Sequence, residues 1–308
     1  MKYLDPKIDP VFKRVFGEHK NLCRSLLNSI LPLPPSQQIV DLSYKPTELL
    51  PEIPCVSKNS IVDVNCIDNM GRQFIVEMQI HWLDTFKSRV LFNASKAYIK
   101  QLDVGKDYSF LKPVYAVNFV NDIFDPDPSV FYHDYKIVNI ADINKQIEGL
   151  ELVFIELPKF RPSNNKEKKL RDLWLRFLTE IKESQPIPDE LLNEEITREA
   201  IQLLQVTSYT DAALNTYEHY CDEVRTFRTL ILGNQRKGKE EGLKEGKEEG
   251  LKEGLKEGKE KNLIDIVLKC HSKGYSMEQI QDITDLNEKR ILEIIESVGE
   301  NSNKQINK

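Results

Sequence analysis

No stretch of this 308-residue chain approaches the roughly 20 consecutive apolar residues that a bilayer-spanning helix needs. The N-terminus, Met1-Lys-Tyr-Leu-Asp-Pro6, lacks the apolar core of a signal peptide. The five cysteines (Cys23, Cys55, Cys66, Cys221 and Cys270) are odd in number, scattered and without a CxxC pair. That argues against a disulfide framework or a zinc ribbon and suits a reducing compartment. The five histidines form no HExxH, and the adjacent Cys270 and His271 supply too few ligands for zinc. A basic excess is missing too: the formal net charge is −6, so nucleic acid would have to be held by a local patch or through a metal ion. The expectation is a soluble cytoplasmic protein. With 40% apolar and 30% charged residues, it is long enough for one good core and an appendage.

What is present is organised around Ser60–His81. Ser60–Ile67 and Arg72–His81 both alternate in the manner of half-buried strands, and Asp68-Asn-Met-Gly71 separates them. In the second run Ile75, Glu77, Gln79 and His81 share one face, and Phe74, Val76, Met78 and Ile80 the other. Asn69-Met70-Gly71 suits a three-residue hairpin loop, with Gly71 at a positive φ. That register pairs Asp68 with Arg72 and, counting back, Asp63 with Glu77. Directly opposed residues hold their Cβ atoms about 4.5–5.5 Å apart. Two carboxylates at that separation repel unless a cation sits between them; spacing alone fits a solvated hairpin as well.

Ahead of the hairpin, Asp9-Pro10 opens a helix, Asp9 as N-cap and Pro10 at its first position. Phe12, Val15, Phe16, Leu22, Leu26, Leu27 and Ile30 carry it at helical spacing to the prolines of Leu31–Pro35. Gln38–Tyr44 reads as a strand, and Lys45–Pro54 as a proline-punctuated loop. After the hairpin, Asp84 or Thr85 caps a second helix running to about Val104, with an apolar stripe of Leu91, Ala94, Tyr98 and Leu102. Arg89, Lys96 and Lys100 project together from another face. They read as a solvated basic face or as phosphate contacts beside the carboxylates, and their place on the helix that leaves the Glu77 strand favours the second. Pro113–Val120 is almost wholly apolar, as a central buried strand is. Phe131–Val138 and Leu152–Leu157 are further strands. The order predicts a mixed α/β domain built on one sheet.

From Lys166 to Leu232 the pattern is helical, with stripes at Leu170, Leu173, Trp174, Phe177, Leu178 and at Ile196, Ala200, Leu203, Leu204. The α/β domain therefore divides into a core at 1–160 and a helical extension at 161–232. Residues 233–261 form a different kind of sequence, in which Gly238, Gly242, Gly246, Gly250, Gly254 and Gly258 recur every fourth residue among Lys and Glu. Ion pairs at i,i+4 add about 0.2–0.5 kcal/mol each, whereas each glycine costs about 1 kcal/mol against alanine. The segment reads equally as a dimer stalk and as a frayed linker. Residues 262–298 form a small helical module resembling a helix-turn-helix. Its first helix ends near Gly274, Ser276 caps the second and Asn287 the third. Its acids (Glu278, Asp282, Glu288, Glu293, Glu296) point to a protein-binding or dimerising role and away from groove binding. Residues 299–308 are expected to be a disordered tail.

Asp9-Pro-Val-Phe12-Lys13-Arg-Val-Phe16-Gly17 resembles the entry signature of the recombination-promoting nuclease (Rpn) family, also described as transposases. Asp63, separated by thirteen residues from Glu77-Met78-Gln79, is similar to that family's form of the PD-(D/E)XK nuclease motif. Tyr98 and Gln101-Leu102 fit the same pattern, and a C-terminal Gly-Lys-Glu tract also recurs in such proteins. The resemblance spans about residues 1–232. It implies a mixed-sheet PD-(D/E)XK nuclease-like core, a Mg²⁺- or Mn²⁺-dependent DNA endonuclease linked to recombination or transposition, and no organic cofactor. It implies that Asp63 and Glu77 are catalytic, metal-binding carboxylates, and Asp9 a third candidate ligand. Gln79 would occupy the position that is lysine in the general motif, and could position water through its amide. DNA is the implied partner, and a homodimer or higher homo-oligomer would let two sites cut two strands. The alternatives are a regulator that binds DNA or protein through the C-terminal module, and a nuclease used in defence against foreign DNA.

Overall fold

The computed structural model describes residues 2–49, 60–102, 105–162, 169–183 and 185–305, with side chains through 297. Cys55, Pro54, Val104, Lys166 and residues 306–308 lie outside them. The chain divides into two compact units, Met1–Arg228 and Thr229–Lys308.

The first unit is a mixed sheet with helices on both faces. Strands β1 (Leu42–Tyr44), β4 (Val64–Asp68), β5 (Gln73–Gln79), β6 (Val114–Val120), β7 (Tyr132–Asn139) and β8 (Asp142–Glu156) pair in the order β1-β4-β5-β6-β8-β7. β2 (Glu48–Leu49) and β3 (Ser60–Ile61) form a separate two-stranded ladder. β6 lies at the centre, parallel to β5 and to β8, and all seven of its residues are buried. This is the burial its unbroken apolar run requires.

Alternation along the strands divides the core. Phe74, Val76, Val117, Phe119 and Val153 face a layer made by α1 (Asp9–Phe12), a following π-helical turn (Lys13–Gly17), α2 (Lys20–Ile30), α4 (Lys169–Glu180), α5 (Asp189–Asn193), α6 (Glu195–Leu203) and the start of α7 (Asp211–Ser272). Ile75, Val114, Ala116 and Phe154 face α3 (Phe86–Ile99) on the other side. Phe12 and Phe16 are wholly buried, and Phe16 packs edge-on against Trp174. The Phe12 and Phe16 rings lie 4.9 Å apart, so both aromatics of the entry signature belong to one buried cluster.

Several expectations change. The first helix is interrupted at Glu18–His19, and Asp9 is its first residue, not its cap; the N-cap position belongs to Ile8, with no side-chain bond. The Asp9 carboxylate is engaged by Lys13 instead. The first strand covers only Leu42–Tyr44. α3 ends at Ile99, and it buries Phe86, Val90, Ala94 and Ala97, leaving Leu91 48% exposed. The helix is therefore rotated relative to the expected stripe, because Phe86 and Val90 fill the space over Ile75 and Phe154. β8 begins ten residues before Leu152 and pairs with β7 as a long hairpin.

In the second unit, α7 continues helically through every glycine of the four-residue repeat to Ser272. Gly274, at φ 78°, ends it. α8 (Met277–Thr284) starts with a capping box in which the Ser276 hydroxyl accepts from Gln279 N–H. Asn287 Oδ1 accepts from Arg290 N–H at 2.9 Å at the start of α9 (Glu288–Gln305). Val267, Ile280, Ile291 and Ile294 form a small core. α9 runs past 299, where the tail was expected to begin.

Candidate active site

The register of β4 and β5 positions the site. Val64 pairs with Val76, Asn65 with Ile75, Cys66 with Phe74 and Ile67 with Gln73. Asp68 N–H donates to Arg72 C=O across a loop in which Gly71 has φ 82°. Continued one step past Val64, this register sets Asp63 opposite Glu77. The expected single strand from Ser60 is in fact two pieces: Ser60–Ile61 pairs with Glu48–Leu49, and the chain bends at Asp63 before β4 begins. Freed by that bend, the Asp63 carboxylate accepts the Met78 N–H at 2.8 Å through Oδ2. It therefore caps the end of the ladder and is fixed in place.

Glu77 is 5% exposed. Its Oε1 accepts from Asn93 Nδ2 at 3.2 Å, and its Oε2 lies 3.5 Å from Arg89 Nη2, both partners coming from α3. The two acids titrate abnormally. Burial pushes Asp63 up to about 7, with the charges of Asp9 and Glu77 adding to the rise and the Met78 N–H and Lys13 opposing it. Burial raises Glu77 as well, against the opposing pull of Arg89 and Asn93. Both shifts have the cause expected of buried carboxylates short of positive charge.

Lys13 is the principal site residue that sequence reasoning passed over. Its Nζ lies 2.8 Å from Asp9 Oδ1 and 3.5 Å from Asp63 Oδ1. Burial works against its charge, but Asp9 and Asp63 overcome this and hold its pKa above the ordinary lysine value. The available signal was its position, four residues after Asp9 on a helix that also carries the Phe12 and Phe16 anchors. Asp9 meets the site through this lysine and raises the pKa of Tyr220 on α7.

Gln79 makes two protein bonds: its Oε1 accepts from Arg89 Nη2 at 2.6 Å, and its Nε2 donates to His81 C=O at 2.7 Å. The amide thus holds a guanidinium through its oxygen. The trio proposed as phosphate contacts separates. Arg89, with its side chain 49% exposed, is at the carboxylates. Lys96 is buried and donates to Leu49 C=O at 2.7 Å, tying α3 to β2. Lys100 is the exposed residue that caps α3. The three share a side of α3 but meet different neighbours along its length, Glu77 and Gln79 at Arg89 and the end of β2 at Lys96.

Asp63 and Glu77 offer hard oxygen donors. Among the described residues no group of three His, Cys, Asp or Glu side chains is placed to hold one ion together. This donor set fits Mg²⁺, which commonly uses one or two carboxylates and completes its shell with water and substrate phosphate.

Residues 6–225 match the family model described as PD-(D/E)XK nuclease family transposase. Neither a curated protein nor a solved structure matches the chain. The match takes in the whole sheet and every residue of the site, on a fold that is mixed α/β with the acids at the end of a β-hairpin. By this match, which covers well over half its length, the chain belongs to the PD-(D/E)XK nuclease family transposases.

Proposed function

We propose that the chain is a divalent-metal-dependent endonuclease that hydrolyses DNA phosphodiester bonds in recombination or transposition. The observation that carries this reading is a pair of opposed carboxylates, the half-buried Asp63 and the buried Glu77, with Lys13 beside the first and Arg89 beside the second. Mg²⁺ or Mn²⁺ bound by the two acids would polarise the phosphoryl oxygen and lower the pKa of a bound water. The chain's own groups do the rest. Asn93 and the Met78 N–H fix the orientation of the two carboxylates. Lys13 and Arg89 bring positive charge to both sides of the position where charge develops on the phosphoryl group. Gln79 fixes Arg89 by its 2.6 Å bond, so the guanidinium is ordered before the substrate arrives. Water gives up a proton as it adds to phosphorus, the bond to the leaving sugar oxygen breaks, and that oxygen takes up a proton.

Among the described residues no helix is long and apolar enough to cross a membrane, which is compatible with action on DNA in the cytoplasm. A homodimer or higher oligomer would bring two sites to two strands.

The test is nicking of a supercoiled plasmid by purified wild-type protein and by Asp63→Ala, with Mg²⁺, with Mn²⁺ and with a chelator. Nicking that needs the ion and disappears in the variant is expected. Equal cleavage by the variant, or cleavage in chelator, overturns the assignment.

A further inference from the structure

Immediately beside the carboxylates the first unit has a cleft of about 360 Å³, bounded by the end of β5, the segment after it and the start of α7. Met78, Ile80, Leu83, Tyr220, Val224 and Phe227 make its apolar lining. His81 stands at its wall with its ring 5.4 Å from that of Phe227, tilted by 38°. Leu83 is 40% exposed and Phe227 38% exposed, so two large apolar side chains face solvent at a site whose other wall is polar. Asp9 and Gln79 also line it, making the cleft continuous with the candidate active site.

Resting on the nuclease reading above, we propose that this cleft receives one unstacked nucleobase of the DNA, next to the phosphate being cut. Three features favour a base over other occupants. First, the cleft adjoins the place where the phosphate must lie, and consecutive nucleotides are only a few ångströms apart. Second, its lining combines aromatic and aliphatic surface, and stacking on such surface accepts any base because each has a π-face. Third, the charged side chains that line it are Lys7, Asp9 and Glu223, and the one cation, Lys7, is already held by Asp5 and by Leu178 C=O, so the cleft offers a phosphate little and suits the neutral base. A base leaves the duplex most readily where it is mismatched, distorted or already single-stranded. The enzyme's preferred substrate is therefore DNA with an unpaired nucleotide at the cut, and sequence preference there is weak.

The experiment uses the full-length protein with Ca²⁺ for binding and Mg²⁺ for cleavage. A set of otherwise identical oligonucleotides is compared: perfect duplex, single strand, and duplexes with one mismatch or one abasic site moved along the sequence. Wild-type protein is expected to cut next to the mismatch about tenfold faster than in perfect duplex. One abasic position should weaken binding by a similar factor, because it removes the stacking base. Phe227→Ala should lose both preferences, and Phe227→Trp should keep them. If Phe227→Ala fails to fold, as judged by circular dichroism, the Trp variant and the wild-type abasic scan still decide. Equal cutting of perfect and mismatched duplex, with no sensitive abasic position, overturns the cleft while leaving the nuclease reading intact. Cleavage of no substrate at all overturns both.

Discussion

Lys13 Nζ stands 3.5 Å from Asp63 Oδ1 and 2.8 Å from Asp9 Oδ1, so one ammonium serves acids from two distant parts of the chain. On the reading proposed above, the neutral Gln79 would occupy the position that carries lysine in the general PD-(D/E)XK pattern. Lys13 brings a positive charge to Asp63 from the turn that follows the first helix. If this charge stabilises the developing phosphoryl negative charge, Lys13→Met should lower the single-turnover cleavage rate by about 10²–10³-fold, the usual cost of one preorganised donor. Lys13→Arg should retain part of the rate. An unchanged rate for Lys13→Met, with the melting temperature altered, would reduce Lys13 to a structural counter-ion.

Restoring the general motif should not help. The oxygen of Gln79 lies 2.6 Å from Arg89 Nη2, so Gln79→Lys would set an ammonium against a guanidinium. The two cations repel, Arg89 moves away from Glu77, and buried Glu77 loses its largest stabilising charge. Gln79→Lys is expected to cut more slowly than wild type by at least tenfold. A faster Gln79→Lys enzyme would show that Arg89 has no part in the reaction.

Much of this arrangement was legible in the residues. A three-residue loop closed by Gly71 leaves one register, and that register sets Asp63 against Glu77. The apolar run of Pro113–Val120 has to be a central strand. Other features depend on contacts between segments far apart in the chain. The bend at Asp63 exists because Ser60–Ile61 pairs with Glu48–Leu49, a two-residue ladder too short to leave a pattern. The rotation of α3, which buries Lys96 and keeps Arg89 at the acids, is set by Phe86 and Val90 packing on the sheet. Lys13 looked like part of an aromatic signature, because its partner Asp63 is fifty residues away.

Asn93 is 2% exposed, and among the described residues its Oδ1 has no hydrogen-bond partner, while its Nδ2 reaches Glu77. A buried amide half-satisfied in this way is held by what it does for the carboxylate. Asn93→Leu removes the donor at similar volume and should weaken Mg²⁺ binding about tenfold, as loss of an outer-shell partner does. Isothermal titration with Mg²⁺ measures this independently of cleavage. Unaltered affinity would show that Glu77 needs no such support.

The raised pKa of Asp63 makes a prediction about stability. An unfolded aspartate titrates near 3.9, and in the fold Asp63 titrates at about 7. Between these values the folded state holds a proton that the unfolded state has released. Stability contributed by Asp63 therefore falls as pH rises through this window, and the full penalty is present above it. Without divalent ion, Asp63→Asn should melt higher than wild type at pH 8, by about 2–4 °C for each kcal/mol relieved. At pH 4 the two should melt together. Adding Mg²⁺ at pH 8 should stabilise wild type alone. A variant that melts lower at pH 8 would mean that the Asp63 charge is already fully compensated in the fold.

The helical repeat raises a different question, because residues 234–262 are exposed without exception. Six glycines there cost about 1 kcal/mol each relative to alanine, and the Lys/Glu pairs return only about 0.2–0.5 kcal/mol apiece. A lone exposed helix of this composition is unfavourable in water. Leu243, Leu251 and Leu255, each more than half exposed, supply the apolar contacts through which a second copy would offset that cost. Full-length protein should then run as a dimer or larger in multi-angle light scattering, and deletion of Gly233–Lys308 should give a monomer. The truncated protein should also nick one strand at a time, since a double-strand break needs two sites on one DNA. If the truncation leaves the number of chains per particle unchanged, the repeat does not hold the oligomer together.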